Sequence, residues 1–305
     1  MNDVIFAFFL IIFSGVVIRI IKPAGIDPER LRQYINTLVF YLFLPALCFS
    51  VMAKTSITAE IALVPLTAIM TLSFMTIISL IIYSLFPNLS DAEKGAVILV
   101  SVFGNVTYLG LPVITGLFGS HAAQYALYYD LLATTPFLWT VGARIAARYG
   151  GKKSPSKAET IKKLFSLPPL WGILLGLIFN IISAPISTFV MKAAEMLGQV
   201  VVPLMIFSIG LSLSFIKPSH VYVLLPVCLL KLLASPLISY ISGRLLGLTD
   251  ITLKAVTLEG GMPSMVLSLL VATVFGLDVS LVAFAIVVST LASFLTLPVI
   301  LVFLG

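Results

Sequence analysis

The sequence predicts an all-α integral membrane protein with ten transmembrane helices in two inverted five-helix repeats, the fourth and ninth helices being broken crossover helices. Three observations predict it. The composition is 60% hydrophobic and only 10% charged, with mean hydropathy +1.17, where soluble domains carry about 25% charged residues. Stretches such as Val4 to Ile18, Ile61 to Leu85 and Val279 to Leu304 are mostly or wholly free of charge. They are long enough, at roughly 1.5 Å per helical residue, to cross about 30 Å of hydrocarbon. Finally, the same marks recur in the same order on either side of one central polar stretch.

Taken in order, the spans fall at 4–22, 33–53, 61–85, 94–117, 122–146, 166–185, 193–215, 220–246, 252–275 and 279–303. The first opens with Asn2 and Asp3, lacks a basic leader and ends in Arg19 and Lys22 without a small-residue cleavage site, so it reads as a retained helix and not a signal peptide. In the second, Pro45-x-x-x-Phe49-Ser50 is echoed by Pro203-x-x-x-Phe207-Ser208 in the seventh. Leu63-Val64-Pro65 in the third is echoed by Leu224-Leu225-Pro226 in the eighth, and Ala96-Val97 after Asp91 by Ala255-Val256 after Asp250. Gly150, Gly151, Ser154, Pro155 and Ser156 among five lysines mark a linker. The expected organisation is therefore a first repeat over 1–149, a cytoplasmic linker over 150–165 and a second repeat over 166–305. An odd number of spans per repeat forces the halves into opposite orientations, which places a binding site near the bilayer midplane where broken helices meet.

Orientation follows from the basic residues. With the N-terminus outside, the inner side collects Arg19, Lys22, Arg30, Arg32, Lys94, Arg144, Arg148, Lys152, Lys153, Lys157, Lys162, Lys163 and Lys217. The outer side collects only Lys54, Lys192, Arg244 and Lys254, a clear positive-inside bias. The chain is thus expected to be multi-pass in the cell inner (plasma) membrane with both termini extracytoplasmic. The net charge of +6 calls for no nucleic-acid partner, because the inner basic segments lie against an anionic leaflet. Cys48 and Cys228 fall in apolar runs and read as buried thiols, not as a disulfide.

Two breaks stand in corresponding places. In the fourth span, Gly104-Asn105-Val106-Thr107-Tyr108-Leu109-Gly110-Leu111-Pro112 sets two glycines, an amide and a proline in mid-membrane. In the ninth, Glu259-Gly260-Gly261-Met262-Pro263-Ser264 does the same beside a carboxylate. Proline removes an N–H and clashes with the preceding turn, and the carbonyls so freed are tolerated only inside protein or beside a polar cavity. Helix N-termini at two crossing breaks would present free N–H groups and positive dipole ends, which suits a carboxylate. The expected substrate is therefore a small organic anion. Its contacts are expected from Gly104, Asn105, Gly110, Pro112, Glu259, Gly260, Gly261, Pro263 and Ser264. Asn105 is the centre of that set because an amide both donates and accepts, although interhelical bonding is its plainer role.

Intramembrane charges are costly and usually functional. Asp130, Lys231 and Glu259 are the clear cases. Lys231 has three open readings: a partner to Glu259 or Asp130, a contact for the substrate carboxylate, or a structural ion pair bracing helices. A carboxylate at Glu259 or Asp130 whose protonation changes as the site alternates would couple transport to protons. Gly172-x-x-x-Gly176 in the sixth span reads as a close helix contact. Tyr108, Tyr128 and Tyr129 are read as packing or as path lining.

The stretch Asn105-x-x-x-x-Gly110-x-Pro112, with the ten spans and the paired breaks, resembles the crossover of the auxin efflux carrier family. That family includes plant auxin carriers and bacterial permeases linked to malate or malonate. The resemblance covers essentially the whole chain. It implies a fold similar to sodium/proton antiporters and bile-acid symporters, a scaffold and a transport subdomain moving in an elevator-like manner, and homodimerisation through the scaffold. Gly104 stands where plant members have a proline, and the linker is short, so the resemblance points to mono- or dicarboxylate transport, with auxin-like acids incidental.

Other classes are disfavoured. The only histidines are His121 and His220; there is no His-Glu-x-x-His, no paired-Cys spacing, and Gly151-Lys152-Lys153-Ser154 lacks the glycine and the hydroxyl that a phosphate loop needs. No enzyme activity, metal or cofactor is expected. The alternatives left open are an anion channel and a proton- or sodium-coupled symporter of another substrate class.

Overall fold

The computed structural model of the chain describes residues 2–212 and 221–305; Lys217 and His220 lie outside the described residues. The regular elements described are helices. Five are long and apolar enough to cross a membrane: Pro28–Met52, Glu60–Ser84, Thr188–Leu211, Val221–Leu245 and Val279–Phe303. A sixth is added if Lys157–Phe165 and Pro168–Ile181 are taken as one span. Leu10–Ile21 and Val106–Phe118 are shorter apolar helices. The chain is therefore a multi-pass membrane protein.

Proline shapes several of these helices in one recurrent way. A wide π-helical turn precedes each of four prolines: Val39–Phe43 before Pro45, Val106–Gly110 before Pro112, Asp130–Thr134 before Pro136 and Leu230–Ala234 before Pro236. In each case the turn ends two residues before the ring. Proline has no N–H to give the previous turn and its ring presses on the carbonyl four residues back; one extra residue in the turn relieves that contact while the helix continues. Pro65 and Pro298, in contrast, sit inside the uninterrupted helices Glu60–Ser84 and Val279–Phe303.

The chain forms two compact units, and each draws on segments from both sides of the linker. One comprises Met1–Thr58, Thr107–Leu127 and Phe165–Leu213. Its helices approach through glycine: a Cβ on Gly172 would lie 2.4 Å from the Pro45 carbonyl oxygen and one on Gly176 2.7 Å from that of Phe49. Asn180 caps the same neighbour, its Nδ2 donating to the carbonyls of Met52 at 2.7 Å and Thr55 at 2.6 Å. The other unit comprises Ala59–Val106, Tyr128–Leu164 and Ser214–Gly305. Its core includes Met75, Val97, Phe103, Leu138, Val227, Val271 and Val282, and it holds both stretches where a helix stops in mid-course.

Candidate functional site: a pair of interrupted helices

The first interruption begins with helix Asp91–Val102. Ser90 starts it through a capping box: the Glu93 N–H donates to Ser90 Oγ at 3.3 Å, and the Ser90 N–H to Glu93 Oε2 at 2.9 Å. Such reciprocal capping fixes where a helix begins. The helix ends at Val102; Phe103 is extended, and helical structure resumes only at Val106. The non-helical residues are therefore Phe103, Gly104 and Asn105. Pro112, expected to make this break, lies beyond it, where its effect is the wide turn Val106–Gly110. The second interruption follows helix Asp250–Gly260, and helix resumes at Ser268. Here Pro263 does stand inside the break, with no N–H to continue the ladder.

The two interruptions pair with each other. Gly104 and Ser264 form an isolated antiparallel bridge. The Asn105 N–H donates to the Pro263 carbonyl at 2.7 Å, and the Met265 N–H to the Phe103 carbonyl at 2.9 Å. Ser264 adds two ties: its hydroxyl donates to the Val100 carbonyl at 2.7 Å, and its N–H donates to Ser289 Oγ at 3.1 Å. Backbone that has left its helix must find partners inside a membrane, and each break supplies them to the other.

Lys231, 2% exposed, sits against this pair. Its ammonium donates to the Gly260 carbonyl at 2.6 Å and to Ser235 Oγ at 3.1 Å, and Ser235 Oγ donates to the same carbonyl at 2.7 Å. A Cβ on Gly104 would lie 3.0 Å from Lys231 Cε and 3.1 Å from Nζ, so the missing side chain there leaves the ammonium its place. Gly260 is tight as well, since its Cβ would come within 2.6 Å of Ser239 Cβ. Lys231 takes no part in the salt bridges Arg30–Asp27, Arg32–Glu29 and Lys54–Glu195.

Glu259 is 1% exposed, and both its carboxylate oxygens are buried without a hydrogen-bond partner. The charges of Asp130 and Lys231 act on it, and Tyr129 lies within its electrostatic reach. Tyr129 is hydrogen-bonded to Ser239 and Thr71. Asp130, 3% exposed, accepts from Thr135 Oγ1 at 2.8 Å across its wide turn. Asn105 is 2% exposed, and its Oδ1 is also buried without a partner. Buried polar groups are as a rule hydrogen-bonded, so three unpartnered acceptor oxygens on Asn105 and Glu259 mark ground prepared for something else.

One unit thus holds Gly104, Asn105, Asp130, Lys231, Glu259, Gly260, Gly261, Pro263 and Ser264. Gly110 and Pro112 belong to the other. The expected free N–H groups at the second break are taken up in part: the amides of Ser268, Leu269 and Leu270 donate to the carbonyls of Met265, Val266 and Leu267. What that helix end offers an anion is its dipole. Sequence reasoning missed Thr71, Thr135, Ser235 and Ser239. A signal was present for two of them: Asp130-Leu131-Leu132-Ala133-Thr134-Thr135-Pro136 and Lys231-Leu232-Leu233-Ala234-Ser235-Pro236 set a charge, the same Leu-Leu-Ala run and a hydroxyl ahead of a proline.

Comparison with known sequences places this geometry in context. The sequence model of the family described as membrane transport protein matches residues 4–301. An uncharacterised transporter of Methanocaldococcus jannaschii is 26% identical over 302 residues, spanning 97% of this chain and 96% of the relative. An uncharacterised transporter of Methanothermobacter thermautotrophicus is 29% identical over 285 residues, spanning 92% and 91%.

Proposed function

Since the chain belongs to the membrane transport protein family, that of the auxin efflux carriers, we propose that it is a secondary transporter carrying a small organic anion across the cytoplasmic membrane. The observation that carries this reading is the pairing of the two interruptions, Asn105 N–H to Pro263 carbonyl and Met265 N–H to Phe103 carbonyl, beside the unpartnered Asn105 Oδ1 and Glu259 carboxylate. Carriers built from broken helices bind at such crossings, where dipole ends and freed backbone meet the ligand. The substrate class follows from an amide, a helix N-terminus and an ammonium close to one crossing, a set that favours a mono- or dicarboxylate.

In this reading the broken and shorter helices bring the crossings to ten, as two inverted repeats over 1–149 and 166–305 joined by the linker 150–165. Both termini face outward. One compact unit carries the substrate while the other stays fixed in the membrane, and the chain works as a homodimer. Asp130 and Glu259 are the carboxylates through which proton coupling would run.

The test is uptake of labelled malate, malonate, lactate and indole acetate into proteoliposomes. Saturable uptake and counterflow of at least one is expected. Asn105→Ala abolishes it, while the purified variant keeps its melting behaviour in detergent. Full transport by Asn105→Ala removes Asn105 from the site, and a steep, unsaturable conductance would make the protein a channel.

A further inference from the structure

We propose that Lys231 is a tethered cation: its ammonium fills, among the oxygens of the interrupted helices, the position a free monovalent metal cation would take, so transport by this chain needs no sodium or other metal cation. The proposal rests on the reading of the chain as an anion transporter. In carriers with broken helices, unwound carbonyls and half-helix C-terminal ends are the groups that coordinate a coupling ion. Here that end is the Gly260 carbonyl, the last of helix Asp250–Gly260, and it accepts from Lys231 Nζ at 2.6 Å. Ser235 Oγ completes a carbonyl-plus-hydroxyl set, bonded both to Nζ and to the Gly260 carbonyl.

Gly104 makes room for the same group, and its imagined Cβ would meet Lys231 Nζ at 3.1 Å and the Met262 carbonyl oxygen at 3.3 Å. The ammonium is thus held between both interruptions, on neutral oxygens. Glu259 lies within reach of its field without forming an ion pair with it. A cation at a helix C-terminus is favoured by the dipole, and a covalently attached one is present at every step of a transport cycle.

The test uses the full-length chain in proteoliposomes. Wild-type protein that takes up no carboxylate defeats the transport reading itself, an outcome distinct from any failure of the lysine assignment. With uptake established, replacing sodium by choline leaves the wild-type rate unchanged; a sodium requirement overturns the proposal. Lys231→Ala lowers uptake by at least about tenfold, as expected for loss of a charge-assisted hydrogen bond, the Gly260 carbonyl keeping only the Ser235 hydroxyl. Methylammonium then restores most of that loss and raises the melting temperature of Lys231→Ala, as a ligand of the folded state does, while leaving wild type unmoved. No rescue and no shift would mean the lysine only braces helices. Lys231→Gln keeps a donor for the Gly260 carbonyl but not the charge, so it stays impaired; wild-type activity in it overturns the assignment. Should Lys231→Ala not fold, Lys231→Gln and the sodium arm decide. Gly104→Ala pushes on the ammonium, and its loss and that of Lys231→Ala are less than additive in the double variant.

Discussion

In one compact unit helices close on each other until backbone meets backbone and hardly any polarity is buried, whereas the buried charged residues lie in the other. A Cβ on Gly210 would lie 2.1 Å from the Ile12 carbonyl oxygen, and one on Gly15 2.5 Å from that of Phe207. The buried polar residues of this first unit, among those described, are Ser50, Thr107 and Ser208. The second unit buries Glu93, Asp130, Lys231 and Glu259 together with a long run of serines and threonines. The difference separates two ways of holding helices in a bilayer. Small residues allow dispersion contacts that need no polar group, and charge is kept only where its cost is matched by use.

The contrast breaks most readily at a glycine. Gly210→Val would drive a branched side chain into the Ile12 carbonyl, and overpacking costs about 1–3 kcal/mol, with the upper end expected where the obstacle is backbone. A large fall in melting temperature in detergent is expected, with uptake lost alongside. An unchanged melting temperature would mean that these helices do not depend on backbone contact.

A smaller effect belongs to the second unit. Ser264→Ala removes the hydroxyl that donates to the Val100 carbonyl at 2.7 Å. Leaving that buried acceptor without its donor costs about 1–3 kcal/mol. Because Ser264 also forms the bridge to Gly104, the loss of stability should come with a fall in uptake, unlike a substitution of matched cost far from the crossing. Reduced stability at full transport would detach the bridge from function.

How far these regions were legible in the sequence differs for a physical reason. Long uncharged runs set helix limits directly, so 61–85 and 279–303 correspond to Glu60–Ser84 and Val279–Phe303 almost residue for residue. The second break was marked by Gly260, Gly261 and Pro263, which a helix cannot absorb together. The first was marked less accurately, since Pro112 drew attention while the chain leaves its helix at Phe103. A proline signals local trouble, but a widened turn can relieve it without breaking the helix, and hydropathy does not distinguish the two. The bonds of Lys231 were not legible at all: its acceptor is a backbone carbonyl 29 residues away, and any residue type carries one. Gly172 and Gly176, in contrast, were readable as a contact because only glycine lets a backbone come so near.

The smallest effect tests the comparison from its other side. Lys54 and Glu195 form a salt bridge within the first unit, their side chains 60% and 38% exposed. If that unit is held by glycine contacts, the pair contributes little, since exposed pairs are worth about 0–1 kcal/mol and salt screens them over roughly 10 Å. Lys54→Met and Glu195→Gln should each shift melting by a degree or two at most. The double variant should differ from their sum only at low ionic strength. A loss comparable with that of Gly210→Val would show that charge, too, holds the first unit together, and the division of labour between the units would then lie in burial alone: ion pairs at the rim of one, buried ionisable groups in the interior of the other.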